Sequence, residues 1–330
     1  MIITVTANPA YDLTYRLDRF EYGAVQRVPE VEQRAGGKGI NVARVLRALG
    51  SGCVATGFAD AGFAAAAGRE LPVDFVTCLP WVRRTVVISE ANGTTTGLWE
   101  PGAPLADPGA ARQLLARVGE LLARARGLVI SGSLPEGVDP SLPGELARLG
   151  RAAGVPVICD VDGEALRQAA QVPGVVLMPN ADELRALTGA VTNTPEEVAT
   201  VAAPLLAAGV GAIIATRGAS GMVAVTPGGV WSARLPDPVT GNPTGAGDAA
   251  AAAMITALAS PTRIPGPRAD THRHSSTDWP AALAAAVAVS AAAVVMPVAG
   301  EIDTDVRDRL LPAVVVEPVN VPDIQEFPCL

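Results

Sequence analysis

Residues 242–248 combine small side chains, backbone donors and a carboxylate. They read Asn-Pro-Thr-Gly-Ala-Gly-Asp and precede an alanine-rich stretch typical of a helix. Small residues let the backbone approach a ligand closely, and the free N–H groups and dipole of a helix start favour an anion. Asp248 in that turn would accept a proton from a hydroxyl while the amides hold phosphoryl oxygens. Phosphoryl transfer to an alcohol requires this combination, although an aspartate-stabilised helix start has the same residues.

A second glycine-rich segment, residues 35–44, reads Ala-Gly-Gly-Lys-Gly-Ile-Asn-Val-Ala-Arg. It is not a nucleotide-binding P-loop, because Gly39 stands where a magnesium-binding Ser or Thr is needed. It places a polar amide, Asn41, on the first turn of a predicted helix. That arrangement suits hydrogen bonds to a polyhydroxylated ligand, or a tight loop before a packed helix.

Polar residues also follow apolar runs that are typical of buried strands. Asp12 ends the segment 8–12, and Ser133 lies within the segment 131–135. Ligands of open α/β sheets bind outside the carboxyl ends of the strands, where Asp12 could accept bonds from two sugar hydroxyls. Either segment alone could be a simple turn.

Asn180 and Glu183 open a predicted helix at a spacing that favours a capping box. The functional alternative is that they organise water around a Mg²⁺ ion carried by a nucleotide. The segment 216–221 likewise could contact nucleotide phosphates or form only a turn.

Other catalytic arrangements are not expected. No serine lies in a GxSxG context, and the histidines His272 and His274 both lie in the Pro-, Arg- and Ser-rich stretch 260–280. Residues 245–250 formally match GxGxxA, but no opening strand of a βαβ unit precedes them, so a dinucleotide site is not expected.

Composition excludes further classes. The net charge of −8 argues against general nucleic-acid binding. No apolar run reaches the roughly 18 residues of a membrane span, and residues 281–295 are predicted to form a buried core helix. The N-terminus does not resemble a signal peptide, so a cytoplasmic enzyme with reduced thiols is expected. Neither a zinc site nor a disulfide framework is suggested by the scattered cysteines, which are Cys53, Cys78, Cys159 and Cys329.

Apolar β-branched runs alternate with amphipathic stretches, which predicts a parallel sheet covered by helices on both faces. The predicted strands are Ile2–Thr6, Gly127–Ser131, 155–160, 175–178 and Ala212–Thr216. The predicted helices are 42–49, which Gly50 ends, 108–125 and 195–208.

Two stretches, 11–34 and 82–99, alternate apolar and polar residues and predict a small separate sheet. The second contains Asn92-Gly93, which favours a hairpin with a tight primed turn. The stretch 260–280 is predicted to be a long surface loop.

These segments, taken in order, resemble the PfkB (ribokinase-like) carbohydrate kinases, and within them the 1-phosphofructokinase and tagatose-6-phosphate kinase branch. The matching segments are 8–12, 36–43, 131–135, 179–183 and 245–248. The resemblance implies a single ribokinase-like domain over residues 1–330. In it, a doubly wound, mostly parallel sheet carries helices on both faces and a small β-sheet lid from about 11–34 and 82–99.

The resemblance also implies roles for individual residues. Asp248 would be the catalytic base, with the amides of Gly245, Ala246 and Gly247 as the anion hole. The substrate-binding residues would be Asp12, Gly36, Gly37, Lys38, Asn41, Arg83 and Ser133, of which Lys38, Arg83 and Ser133 are candidates for a substrate phosphate. The residues on the ATP side would be Asn180, Glu183, Thr216, Gly218 and Gly221, with Glu183 contacting Mg²⁺ through water.

The implied activity is ATP-dependent phosphorylation of a ketohexose phosphate: fructose 6-phosphate, tagatose 6-phosphate or fructose 1-phosphate. Met178, Pro243 and Thr85 depart from the residues usual in the family. The alternatives are a kinase for an unphosphorylated sugar or nucleoside, and a sugar-phosphate sensor without catalysis. The family also suggests a homodimer formed through the lid.

Overall fold

The computed structural model describes residues 1–105, 107, 109–260 and 277–321. The stretch 261–276, with both histidines of the predicted surface loop, and Cys329 lie outside the described residues. The strands are β1 Ile2–Thr6, β2 Ala10–Leu17, β3 Glu30–Gly36, β4 Cys53–Ala59, β5 Val73–Thr77, β6 Arg83–Glu90, β7 Thr95–Trp99, β8 Gly127–Ser131, β9 Val157–Asp160, β10 Val176–Leu177, β11 Ala212–Thr216, β12 Met222–Thr226, β13 Gly229–Arg234 and β14 Val315–Pro318.

The α-helices are α1 Lys38–Ala48, α2 Ala61–Gly68, α3 Ala110–Leu122, α4 Leu142–Ala152, α5 Gly163–Ala169, α6 Ala181–Thr188, α7 Pro195–Ala207, α8 Ala246–Leu258, α9 Trp279–Val294 and α10 Thr304–Leu310. Short 3₁₀ turns span Gly218–Ser220 and Leu311–Ala313. The expected strands and helices therefore form, with ends that move by a few residues.

The main sheet has 10 strands in the order β14-β13-β12-β11-β10-β9-β8-β1-β4-β5. Strands β5 to β11 in this order run parallel, and β12, β13 and β14 extend the edge antiparallel. Two groups of helices pack on it: α1 and α9 each contact α8, and α3 and α5 each contact α4 in the second group. The predicted doubly wound α/β architecture is confirmed.

The alanine-rich segments are core helices. Residues 249–253 are buried in α8, which packs along α9. The stretch 281–295, predicted to be a buried helix, lies in α9 up to residue 294. Because alanine has a small side chain, two such helices approach closely without needing aromatic residues between them. No helix among the described residues is long and apolar enough to cross a membrane.

The second sheet has 4 strands in the order β3-β2-β6-β7 and is called the lid sheet below. It arises from the two alternating stretches, as predicted. Its hairpin differs in one respect: the Glu90 N–H donates to the Thr94 carbonyl and the Gly93 N–H to the Glu90 carbonyl, which leaves a three-residue loop. The prediction of a two-residue primed turn at Asn92-Gly93 is therefore wrong. Gly93, at φ 88°, supplies the left-handed position that a three-residue hairpin needs.

Register in the lid sheet aligns four side chains in one row. Asp12 lies opposite Arg34 on β3 and Thr85 on β6, and Thr85 lies opposite Trp99 on β7. Directly paired residues project from the same face of a sheet. The inner face of the lid sheet therefore presents a cation, a carboxylate, a hydroxyl and an indole side by side.

Candidate active site

A cavity of about 1110 Å³ lies between the inner face of the lid sheet and the carboxyl ends of the main-sheet strands. It is lined by nearly every residue that the sequence singled out: Asp12, Gly37, Lys38, Asn41, Arg83, Ser133, Asn180, Glu183, Thr216, Gly218, Gly221, Gly245, Ala246, Gly247 and Asp248. Segments far apart in the chain thus meet in one place. Gly36 is the exception and does not line the cavity.

Gly36 instead makes room for Asp12. A Cβ atom at this position would lie 2.0 Å from the Asp12 Oδ2 atom. Gly37 is equally constrained, since its φ is 103° and its Cβ would lie 2.9 Å from Cγ2 of Thr6. These glycines therefore allow the turn into α1 to pack against β1 and against the carboxylate of β2.

Asp248 lies in the first turn of α8 with a side chain that is almost fully buried. The Asn41 side-chain amide donates a 3.0 Å hydrogen bond to its Oδ2 atom. Burial raises the pKa of Asp248 to about 7, and repulsion from Asp160 acts in the same direction. The Lys38 ammonium and the Asn41 hydrogen bond oppose that rise. The carboxyl group is therefore placed to exchange a proton near neutral pH.

The start of α8 carries unpaired amides. Gly245 is the N-cap, at φ 84°, and α8 begins at Ala246. The Ala246 N–H donates to the Pro243 carbonyl at 3.2 Å, so this amide of the predicted anion hole is already paired. The N–H groups of Gly245 and Gly247 have no acceptor within the described part of the chain. Their role as an anion hole stays a prediction.

Asp12 is held at the centre of the lid row. The Thr85 hydroxyl donates to its Oδ1 atom. Burial raises its pKa, while the Thr85 hydrogen bond and the nearby Arg44, Arg83 and Arg34 oppose that rise. A carboxylate so placed can accept hydrogen bonds from sugar hydroxyls.

Lys38 begins α1 and reaches across to the main sheet. Its Nζ atom donates to Oδ1 of Asp160 at 3.0 Å. Burial opposes the charged ammonium, but Asp160, Asp248 and Glu183 outweigh it and hold the pKa of Lys38 above its ordinary value. The cation is thus already engaged by protein carboxylates, which the sequence did not indicate.

Asp160 is a site residue that the sequence analysis missed. It ends β9, is buried and lines the cavity beside Lys38. Its only sequence signal is a carboxylate at the carboxyl end of a buried parallel strand.

Arg83 and Ser133 lie where the lid sheet meets the main sheet. The Arg83 guanidinium donates to the carbonyl oxygens of Glu100 at 2.9 Å and Asn8 at 3.3 Å. The Ser133 hydroxyl oxygen accepts a 3.2 Å hydrogen bond from the Asn8 amide. Both side chains line the cavity, and Arg83 also ties the lid sheet to the loop after β1.

Asn180 and Glu183 form the capping box that their spacing favoured. The Glu183 N–H donates to Asn180 Oδ1, and the Asn180 N–H donates to Glu183 Oε2, each at 2.9 Å. Burial raises the pKa of Glu183, while Lys38 opposes the rise. Glu183 Oε1 accepts no hydrogen bond within the described residues, and Glu183 lines the cavity together with Lys38. Thr216 lies beside Asn180 in a parallel bridge and leads into the Gly218–Ser220 turn.

Next to that turn the cavity wall is apolar. The side chains there come from the loop after β13 and from α9, and the sequence analysis assigned none of them: Leu235, Val239, Val287, Ala291 and Val294. No set of three or more His, Cys, Asp or Glu side chains within the described ranges is arranged to hold a metal ion. The residues present fit a Mg²⁺ ion that arrives with phosphates and keeps its waters.

The chain is similar to known proteins in sequence and in fold. Residues 5–303 match the pfkB family carbohydrate kinase. The tagatose-6-phosphate kinase of Staphylococcus epidermidis is 29% identical over 266 residues, which cover 78% of this chain and 85% of that protein.

Solved structures are also similar. Phosphofructokinase-2 from Escherichia coli in complex with fructose-6-phosphate has a TM-score of 0.80 and 26% identity, covering 94% of this chain and 98% of its own. A protein described as "Possible 1-phosphofructokinase" from Thermotoga maritima has a TM-score of 0.83 at 24% identity, covering 97% and 99%. The chain belongs to the pfkB family of carbohydrate kinases, which transfer a phosphoryl group to a sugar hydroxyl.

Proposed function

We propose that this kinase transfers the γ-phosphoryl group of ATP to a hydroxyl of a ketohexose phosphate. The observation that carries the proposal is the placement of Asp248, whose pKa of about 7 and contact with Asn41 suit a general base, beside the free amides of the α8 start. The base and the anion site are then within one helical turn, so one short segment can accept the hydroxyl proton and hold the transferring phosphoryl group.

In this proposal Asp12 accepts hydrogen bonds from the sugar and orients it. Asp248 takes the proton of the attacking hydroxyl as that oxygen bonds to the γ-phosphorus, and ADP leaves. The Gly245 and Gly247 amides stabilise the charge on the transferring group. Lys38, held by Asp160, adds positive charge on the same side.

ATP would enter from the end of the cavity where the Gly218–Ser220 turn meets an apolar wall. The turn offers small residues to the phosphates, and the side chains of α9 offer an apolar surface to the adenine. Glu183 would hold Mg²⁺ through water, and the ion would supply positive charge to offset that of the phosphates.

Two relatives act on, or are seen with, ketohexose phosphates, since one is a tagatose-6-phosphate kinase and another binds fructose-6-phosphate. In this chain Arg83 and Ser133 would contact the substrate phosphate. One observation favours a second candidate: Arg83 already donates to two backbone carbonyls, which suits a kinase for an unphosphorylated sugar or nucleoside. A homodimer through the lid sheet fits the exposed Leu98, at 58%, on β7.

The test is ADP formation from ATP and Mg²⁺ with fructose 6-phosphate, tagatose 6-phosphate, fructose 1-phosphate and their unphosphorylated parents. Turnover of a sugar phosphate with a KM well below that of its parent supports the proposal. Arg83→Met should then raise the KM for the phosphorylated substrate alone. Equal KM values for both substrate classes would favour the second candidate.

A further inference from the structure

The segment 299–301, between α9 and α10, packs on Asn41 and on the start of α8, the helix that carries Asp248. Gly300 has a φ of 82°, and a Cβ atom there would lie 2.9 Å from Oδ1 of Asn41. A Cβ atom on Gly245 would lie 2.9 Å from Cβ of Ala299. The segment therefore supports Asn41 on one side and the start of α8 on the other.

The same segment is tied to the lid sheet by an ion pair. Arg34 on β3 donates from Nη1 to Oε1 of Glu301 at 2.7 Å, and the two side chains are 16% and 37% exposed. Arg34 is the residue directly opposite Asp12 in the lid register. This ion pair therefore links the strand opposite Asp12, on the sugar side of the cavity, to the segment that packs on Asn41 and on the start of α8.

Besides Glu301, one carboxylate among the described residues forms an ion pair with the Arg34 guanidinium, and that carboxylate is already engaged by another arginine. Glu70 lies 3.9 Å from Arg34, whereas it lies 2.8 Å from Arg44. Glu301 is therefore the carboxylate within hydrogen-bond distance of Arg34.

We propose that Glu301 is a positioning residue that acts through Arg34. The ion pair fixes β3, and with it Asp12, relative to the segment that backs Asn41 and the first turn of α8. The sugar hydroxyl and the carboxylate that accepts its proton are then held at a constant separation. This inference rests on the proposed function for its catalytic consequence, although the mechanical link exists without substrate.

The experiment is a double-mutant cycle with Glu301→Gln, Arg34→Met and the double variant. Glu301→Gln should raise the KM for the sugar substrate by about five-fold or more while the KM for ATP stays within about two-fold. In the Arg34→Met background, Glu301→Gln should have no further effect. The matched control is Glu30→Gln, which breaks the Arg16–Glu30 ion pair inside the lid sheet and should leave both KM values unchanged.

Amide hydrogen exchange of the free protein gives a second readout that needs no turnover. Glu301→Gln should accelerate exchange both in β3 and in the first turn of α8. Glu30→Gln should not accelerate exchange in both places. If wild-type protein phosphorylates no sugar on the panel, the proposed function fails and the exchange result alone decides the inference. Equal Glu301→Gln effects in both Arg34 backgrounds, or exchange that changes only next to residue 301, would overturn it.

Discussion

The side-chain amide of Asn41 donates a 3.0 Å hydrogen bond to Oδ2 of Asp248. The residue predicted to face the sugar therefore also holds the predicted base. An amide donor stabilises the ionised carboxylate, whereas burial and Asp160 favour the neutral form, and the balance is a pKa of about 7. The expected consequences of this balance can be measured.

The pH profile should show one ionisation on its acid side. Because the base must be ionised to accept a proton, kcat/KM should rise about ten-fold per pH unit at low pH and level off above about pH 7. Steady-state assays from pH 5 to 9 measure this. A flat profile across that range would contradict the assignment.

Asp248→Asn should change the pH dependence of stability. A raised pKa means that the folded protein binds more protons than the unfolded chain between about pH 4 and 7, so the wild-type free energy of unfolding falls as pH rises through that interval. Asparagine does not titrate, so the variant lacks this pH dependence. The free energy of unfolding of Asp248→Asn, taken relative to that of wild type, should therefore increase by on the order of 1–3 kcal/mol from pH 5 to pH 8. Denaturant unfolding at the two pH values measures it. A difference in free energy of unfolding that is the same at both pH values would count against a buried carboxyl group with a raised pKa.

Lys38→Met should shift the acid limb of the pH–activity profile to higher pH. The lysine lowers the pKa of Asp248, so its removal should raise the apparent pKa by about one pH unit and reduce kcat. Arg117→Met is the control, because it removes the cation of the Arg117–Asp74 ion pair, and neither residue lines the cavity. A shift in both variants would indicate a general charge effect instead.

Gly36→Ala should weaken sugar binding more than folding. Its Cβ atom would meet the Asp12 carboxylate at 2.0 Å, which forces that side chain to turn away. We expect a KM increase of about ten-fold or more for the sugar, with a stability loss of about 1–3 kcal/mol. Gly119→Ala in α3 is the control, because nothing lies within 4 Å of its Cβ position. An unchanged sugar KM in Gly36→Ala would show that Asp12 does not bind the sugar.

The parts of this site that sequence predicts are those that a local pattern encodes. The turn before Asp248, the capping box of Asn180 and Glu183 and the alternation of the lid strands each depend on neighbours in the chain. Asp160 was missed because a carboxylate that ends a strand has no local signature until Lys38, 122 positions away, is placed beside it.

Two further details of the site also depend on contacts between residues that are far apart in the chain. Gly36 was expected to approach a ligand, but its missing side chain makes room for Asp12. The Arg34–Glu301 contact joins residues 267 positions apart, and no spacing rule predicts such a pair.

The central claim is that Asp248 is the base for phosphoryl transfer to a sugar hydroxyl. The most direct measurement compares kcat with sugar and nucleotide affinities, measured by calorimetry, for wild type and Asp248→Asn. The account predicts that kcat falls by about 10²–10⁴-fold while both affinities stay within a few-fold. A variant that keeps its kcat, or that loses binding as much as rate, would contradict it.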